Sequence, residues 1–487
     1  FNNILRTRGV ATEPPPVVHF FATVTQWDIY DAYEEDRFAN ERAAAAGRKK
    51  GGKHDEKRGG NRDTRTADAT EEIFSSPSLL NALKIMERMV NQNDSHDIID
   101  DYKYWEDESD RYKDEGSLLP LWKFHSDKVR RKSVTCIAWN PQYSDMFSVG
   151  YGSYDFLKQG TGMVQCFTLK NAFPTNAQGG AMPAHPEFSF QLDSGVMSIA
   201  FHPTNSALLA CGLYDGAVCV FDLRQKNSEK KLKPIYMSTV KTGKHTDPVW
   251  EIRWAKDENN LHFYSISSDG RVTSWHLSKN ELLYTDVMKL SMNAQNAEQG
   301  EDPEAALIGL SGGMCFDFSK DNDDIFVIGT EEGIVRRCSK AYNAQYLDTY
   351  DGHNMAVYAV RWNHFHPDVF LSCSADWTVK LWQKDSTRPL MKFDLQDSVG
   401  DVVWAPYSST VFAAVTTNGR GLVYDLNRNK NEPVCTQNVV KNAKLTRVCF
   451  NPIEPIVLVG DSRGTVLSLK LSPNLRQLVK LEKGQND

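Results

Sequence analysis

One pattern recurs along this chain from about residue 133 onward: a short β-rich run ending in an aromatic residue, a turn, a second run, a tight polar turn and a third run. The first runs read VTCIAWNP from Val134, VMSIAFHP from Val196, VWEIRW from Val249, MCFDF from Met314, VYAVRW from Val357, VGDVVWAP from Val399 and LTRVCFNP from Leu445, seven in all. The second and third runs follow in strings such as ALLACGLYDGAVCVFDL, FYSISSDGRVTSWHL, VFAAVTTNGRGLVYDL and IVLVGDSRGTVLSLKL, with FSVGYGSYDF a looser first copy. Alternation at period 2 makes these strands. The Asp-Gly, Glu-Gly and Asn-Gly pairs between them supply the positive-φ residues that two-residue hairpins need.

A unit of this kind cannot bury its own apolar face, and its spacing is close to the ~40–45 residues of a propeller blade. The first four units carry longer insertions. Residues 117–472 are therefore expected to form an all-β, seven-bladed propeller, preceded by an extended, partly helical arm at 1–116 and followed by a polar tail at 473–487. A ring of blades has to be latched where the chain ends meet. The apolar stretch SLLPLWKF, Ser117 to Phe124, can supply the outer strand of the last blade, and Pro120 suits such an edge.

Two units carry a fuller polar signature. His353, Ser372, Asp376 and Trp382 have nearly the spacing of His245, Ser265, Asp269 and Trp275, with Trp362 and Trp254 at matching places. A His, Ser and Asp together suggest a hydrolase, yet the set appears twice, once in each of two blades, with no Gly-x-Ser-x-Gly elbow. It resembles instead the buried tetrad of WD40 repeats, in which indole, hydroxyl, imidazole and carboxylate satisfy one another. No residues are expected to be catalytic, cofactor-binding or metal-binding. An enzyme on this scaffold would need acids or metal ligands repeated at the ring's axis, a set not recognised in the units.

Neither phosphate-loop nor dinucleotide-binding motif occurs, and the nine cysteines contain no Cys-x-x-Cys pair. Most of these cysteines sit inside apolar runs, as core thiols of a reducing compartment do. His364 and His366 form a His-x-His, read as part of a turn rather than as metal ligands because no acidic or thiolate partner is near. With 56 basic against 63 acidic residues, the chain carries a formal charge of −7, unlike a surface built for nucleic acid. No run approaches the ~18 apolar residues of a membrane span. No membrane or nucleic-acid partner is expected, and the chain reads as soluble and intracellular.

Residues 1–116 lack the repeat. Within them VVHFFATVTQW, at 17–27, is β-prone and follows three prolines, and Val18, Phe20, Ala22 and Val24 are its strand-addition candidates. A lone strand is unstable in water, so it either adds to a partner's sheet edge, the reading preferred here, or folds back on its own propeller. The segment 48–65, rich in Gly, Lys and Arg, is a solvated linker or a contact for an acidic surface such as a microtubule. Ser76 has the character of an N-cap, with Pro77 at the first helical position and a helix over 78–91. Leu79, Leu83, Met86 and Val90 form one apolar stripe that has to be buried against a separate subunit, the preferred reading, or against the ring. The lead-in at 93–116 is acidic with interleaved aromatics.

The strings KIMERMVNQN, LLPLWKF, VGYGSYDF, GKHTDPVW, SSDGRVTSW, GTEEG, CSADWTVKLW, WAPYSSTVFAAVTT and LSPNL resemble the axonemal outer-arm dynein intermediate chains, most of all the intermediate chain 1 type, from about Gln26 to Gln477. The resemblance implies a non-motor, non-catalytic scaffold at the base of the dynein arm, without cofactors. The propeller would grip a dynein heavy-chain tail beside a second intermediate chain, and light-chain dimers would bind the arm, a roadblock-type dimer at the 78–91 helix. It also implies a place in the axoneme of cilia and flagella, with a cytoplasmic pre-assembly pool. VTQW at Val24 to Trp27 departs from the usual light-chain recognition sequence. The alternative is a generic WD40 adaptor, such as a ubiquitin-ligase substrate receptor, although the arm is too polar and interrupted to hold the compact helical module of such adaptors.

Overall fold

The computed structural model describes residues 32–37, Ser76, ten positions between 79 and 93, and 116–171, 185–224, 233–255, 261–279, 281–291, 310–343 and 345–476. The chain divides into two compact units, 1–89 and 90–487. In the first, residues 32–37 are helical, a feature the sequence reading did not pick out, and Glu34 pairs with Arg37 one turn on at 3.0 Å. Every described position between 79 and 90 is also helical, and Leu80 donates its N–H to the Ser76 carbonyl at 3.1 Å.

The second unit is built of seven four-stranded sheets. Blade 1 runs from Ser133 to Leu192, blade 2 from Val196 to Met237, blade 3 from Val249 to Lys289 and blade 4 from Gly313 to Asp351. Blade 5 runs from Val357 to Asp394 and blade 6 from Val399 to Asn438. Six blades take their four strands consecutively. Blade 7 has three, over Leu445–Leu471, and receives its outermost strand, Leu118–Phe124, from ahead of blade 1. The architecture is the seven-bladed propeller that the repeats require.

Leu118 pairs with Leu471 and Phe124 with Val466, and the ladder shifts register between Pro120 and Lys123. Pro120 has no N–H to give and sits on the solvent edge, where none is needed. After the shift, Ser468 takes over from the ladder: its Oγ accepts from the Trp122 N–H at 3.0 Å. At the strand's start, Ser117 and Ser472 exchange bonds of 2.9 and 3.1 Å. Phe124 then crosses into blade 1, packing edge-on against Phe147 at 5.0 Å and beside Phe167 at 5.6 Å. One apolar cluster thus joins Phe124, blade 1 and blade 7 residues Ile456, Leu458 and Val466.

Adjacent blades are also stitched through the turns after their innermost strands. Asn140, Asn363 and Asn451 each accept N–H groups of their own turn. Each also donates to a carbonyl in the next blade's turn, at Ser206, Ser409 and Ser144. The last of these bonds spans blades 7 and 1.

The turn between second and third strands shows why glycine recurs there. Gly216, Gly270, Gly333, Gly419 and Gly464 all have φ between 75° and 94°. A Cβ on Gly216 would lie 2.1 Å from the His245 carbonyl oxygen. Blade 5 places Trp377 at this position with φ of 70°, a strained backbone for a bulky side chain, and leaves the ring 55% exposed.

Because Phe124 is fully buried across the closing seam, Phe124→Ala is expected to destabilise the propeller by about 3–5 kcal/mol. The measurement is a shift of the denaturant midpoint at unchanged slope. A midpoint equal to the wild type would place the seam elsewhere.

Candidate functional site

Two blades bury a four-membered polar relay. In blade 3 the Trp275 indole donates to Ser265 Oγ at 2.7 Å, Ser265 Oγ lies 2.8 Å from His245 Nε2, and His245 Nδ1 lies 2.9 Å from Asp269. Blade 5 repeats it with Trp382 to Ser372 at 2.8 Å, Ser372 to His353 at 2.6 Å and His353 to Asp376 at 3.0 Å. An indole can only donate, so the serine accepts from it and gives its own proton to Nε2. The ring proton is then on Nδ1, facing the carboxylate.

Burial pushes His353 down to about 4 against the opposing pull of Asp376, so this imidazole is neutral at physiological pH. Burial alone would raise Asp269. The hydrogen bond from His245, with help from Arg271, outweighs it and holds the carboxyl at about 2. Both histidine side chains are fully buried and both serine hydroxyls are spent on two partners.

The axis of the ring holds a second polar cluster, contributed by the innermost strands. Each of these strands has a register shift near its start, after the first residue in six blades and after the second in blade 1, which adds a bulged residue and re-aims the strand near the axis. Three acids sit there, contrary to the sequence reading, which found no set of inward-pointing acids. Glu251 of blade 3 accepts from Arg253 and from Arg361 of blade 5, both at 2.8 Å, and from the Phe316 N–H of blade 4 at 3.0 Å. Asp317 accepts from the Trp362 N–H at 2.9 Å. Asp401 of blade 6 lies 3.8 Å from Arg447 and 4.0 Å from Arg361. Glu251 and Asp401 are matched by arginines and Asp317 by Lys320 at 3.6 Å, so each buried acid has a cation beside it. The signal in the sequence is a charged residue in the third or fifth place of five innermost strands, at both places in blade 3, legible only once the ring brings those strands together.

Eight of the nine cysteines are buried and Cys449 is half-buried. Burial pushes the Cys136 thiol up to about 12, so it stays protonated and inert. His364 and His366 lie in the turn after the innermost strand of blade 5, where the His366 N–H bonds to Asn363 at 3.1 Å. Among the described residues, no cluster of three or more His, Cys, Asp or Glu could hold a metal, and no helix is long and apolar enough to cross a membrane.

On the arm, Leu79 is half-buried, while Leu83, Met86 and Val90 are 49%, 61% and 57% exposed. Val18, Phe20, Ala22 and Val24, the linker at 48–65, most of the lead-in at 93–116 and the tail beyond residue 476 lie outside the described residues.

The family model described as WD domain, G-beta repeat matches residues 184–222 and 344–383. The second match holds all of the blade 5 relay. Dynein intermediate chain 2, ciliary, of Heliocidaris crassispina is 50% identical over 99% of this chain and 67% of its own length. The 78 kDa intermediate chain of the flagellar outer arm of Chlamydomonas reinhardtii is 49% identical, over 99% of this chain and 70% of its own. The chain belongs to the axonemal dynein intermediate chains. Dynein axonemal intermediate chain 1 of Bos taurus, 48% identical, is likewise covered over 67% of its length. This intermediate chain is a dynein subunit, and its likeness to relatives takes in the arm as well as the ring.

The blade 5 relay has a pH signature. The folded His353 stays neutral down to about 4, whereas the unfolded side chain takes up its proton near 6.5. The unfolded state therefore binds more protons in that window, and stability falls as pH falls. Between pH 7 and pH 5 the wild type is expected to lose about 2 kcal/mol more than His353→Gln, read from urea midpoints at both pH values. Equal losses in the two proteins would contradict a neutral, buried His353.

Proposed function

We propose that this intermediate chain is a non-catalytic scaffold of the axonemal outer dynein arm. Its propeller grips a heavy-chain tail beside a second intermediate chain, and its arm collects light-chain dimers. The relays His245–Ser265–Asp269–Trp275 and His353–Ser372–Asp376–Trp382 hold blades together and do no chemistry. Support comes from their full hydrogen-bond satisfaction, since a serine that already gives its proton to a buried imidazole and accepts from an indole has no position for a substrate.

The observation that carries the reading is the unburied stripe on the arm helix. Leu83, Met86 and Val90 remain about half exposed or more, and an amphipathic helix gains stability only by burying such a face. A helix-in-groove contact with a roadblock-type light-chain dimer would do this. The run at 17–27 offers a further light-chain dimer a strand to pair with, and the basic segment at 48–65 serves as a solvated linker, with a contact to the acidic microtubule surface as the alternative. The working site is the axoneme of a cilium or flagellum, reached from a cytoplasmic pool in which the arm is assembled.

Replacing Leu83 and Met86 together by Asp is expected to abolish light-chain co-purification from the native complex while leaving the thermal midpoint of the propeller unchanged. Undiminished co-purification would sink the proposal.

A further inference from the structure

The turns between second and third strands and the loops leading into innermost strands share one face of the ring. At the closing seam three such segments meet. Residues 127–132, DKVRRK, lead into blade 1; KNAK at 441–444 leads into blade 7; and the blade 7 turn after Asp461 holds Arg463. Ser462 stands between the two loops. Its N–H donates to the Lys444 carbonyl at 2.9 Å, and its own carbonyl accepts from Ser133 Oγ at 3.2 Å. The Arg463 guanidinium donates to the Asn442 carbonyl at 2.6 Å. A Cβ on Gly464 would lie 2.7 and 2.9 Å from the carbonyl oxygens of Lys132 and Val129, so nothing separates this turn from 127–132.

The three segments carry seven Lys and Arg against two acids, in a chain whose formal charge is −7. Six of the seven cations are exposed, and among the described residues none has a carboxylate within ion-pair distance. Asp461 is buried and accepts the N–H groups of Arg463 and Thr465, at 2.9 and 2.7 Å. Like charges this close repel one another. An anionic segment laid across them would relieve that repulsion, within the ~8 Å over which charge acts in physiological salt.

The backbone holds one of these cations under strain. Val129–Lys132 is a type II turn: the Lys132 N–H bonds to the Val129 carbonyl at 3.0 Å, with Arg130 at φ −53°, ψ 129° and Arg131 at φ 72°. The third position of such a turn belongs to glycine, and arginine there is an outlier of the kind that gathers at binding sites. Beside the strip stands an apolar tip. Lys132 Nζ donates to Thr161 Oγ1 at 3.0 Å and so tethers the loop 153–161, whose Phe156 and Leu157 are 77% and 89% exposed.

We propose that the seam between blades 7 and 1 docks an acidic segment of another subunit of the dynein arm, its carboxylates on the cationic strip and an apolar side chain against Phe156 and Leu157. A nucleic acid or an anionic membrane would meet the chain's whole negative charge as well as the strip, whereas a short protein segment meets the strip alone. The inference deepens the scaffold reading and rests on it: it names a docking face and the chemistry of what docks there.

The test uses the full chain and a fluorescent Glu-rich peptide carrying two leucines, beside the same peptide with Gln for Glu. Anisotropy is expected to show saturable binding of the Glu peptide, weaker as salt rises, and none of the Gln peptide. Arg130→Glu combined with Lys441→Glu, at an unchanged thermal midpoint, should weaken binding about tenfold. Lys279→Glu combined with Arg388→Glu, in turns on the opposite face, should bind as the wild type does. Equal affinity in the seam variant and the wild type overturns the site. Leu157→Ser should also lower the affinity, and no change overturns the apolar anchor. A wild-type preference for anionic vesicles or duplex DNA over the peptide overturns a protein segment as the occupant. In the native complex, carboxylate-to-lysine cross-links should run from Lys128, Lys441 or Lys444 to a neighbouring subunit, and cross-links confined to this chain overturn the docking face. Failure of the scaffold reading is distinct, because the wild-type chain would then hold no subunit at all.

Discussion

The pairing of Leu118–Phe124 with Val466–Leu471 is the constraint on which the rest of the molecule depends. Without it blade 7 is a three-stranded sheet with an open edge, and blade 1 loses the Phe124 ring from its core. The bonds that make it join residues some 350 apart in sequence, such as Ser117 with Ser472 and Trp122 with Ser468. Contacts of that separation are costly to form early, so the ring is expected to close late in folding. Closure also decides where the arm begins, because the chain enters the propeller through the outermost strand of blade 7.

Ring closure also makes the axis possible. Glu251, Asp317, Arg361, Asp401 and Arg447 come from five different blades. None has a charged partner close by within its own strand except Glu251, which meets Arg253. Leaving any of these groups buried and unmatched would cost several kcal/mol, so the network rewards only a ring that is complete and in register. Breaking a single member is expected to loosen blades well away from the substituted residue.

The fold was legible in the sequence because its determinants are local and repeated. Aromatic-ended runs, period-2 alternation and turn glycines each act over a few residues, and each of the two relays lies within a single blade and the loop leading into it. The SLLPLWKF strand could be placed because an apolar run ahead of the first unit has one obvious edge to fill. The axial acids could not be found this way, since they are isolated acids in short strands and their relation to one another exists only in the closed ring. Trp377 was hidden for a different reason: its string, SADWT, departs from the turn chemistry of its neighbours, and only the backbone angle reveals that it keeps their conformation. The helical residues 32–37, short and highly charged, carry no apolar periodicity to announce them.

The central claim is that a rigid ring and a separate arm bind different subunits of one dynein. Cross-linking mass spectrometry of the native complex tests it most directly. The account predicts cross-links from the propeller to the heavy chain, and from the arm segment at 78–91 to light chains. Cross-links from that helix to its own propeller alone, with none to a light chain, would contradict it.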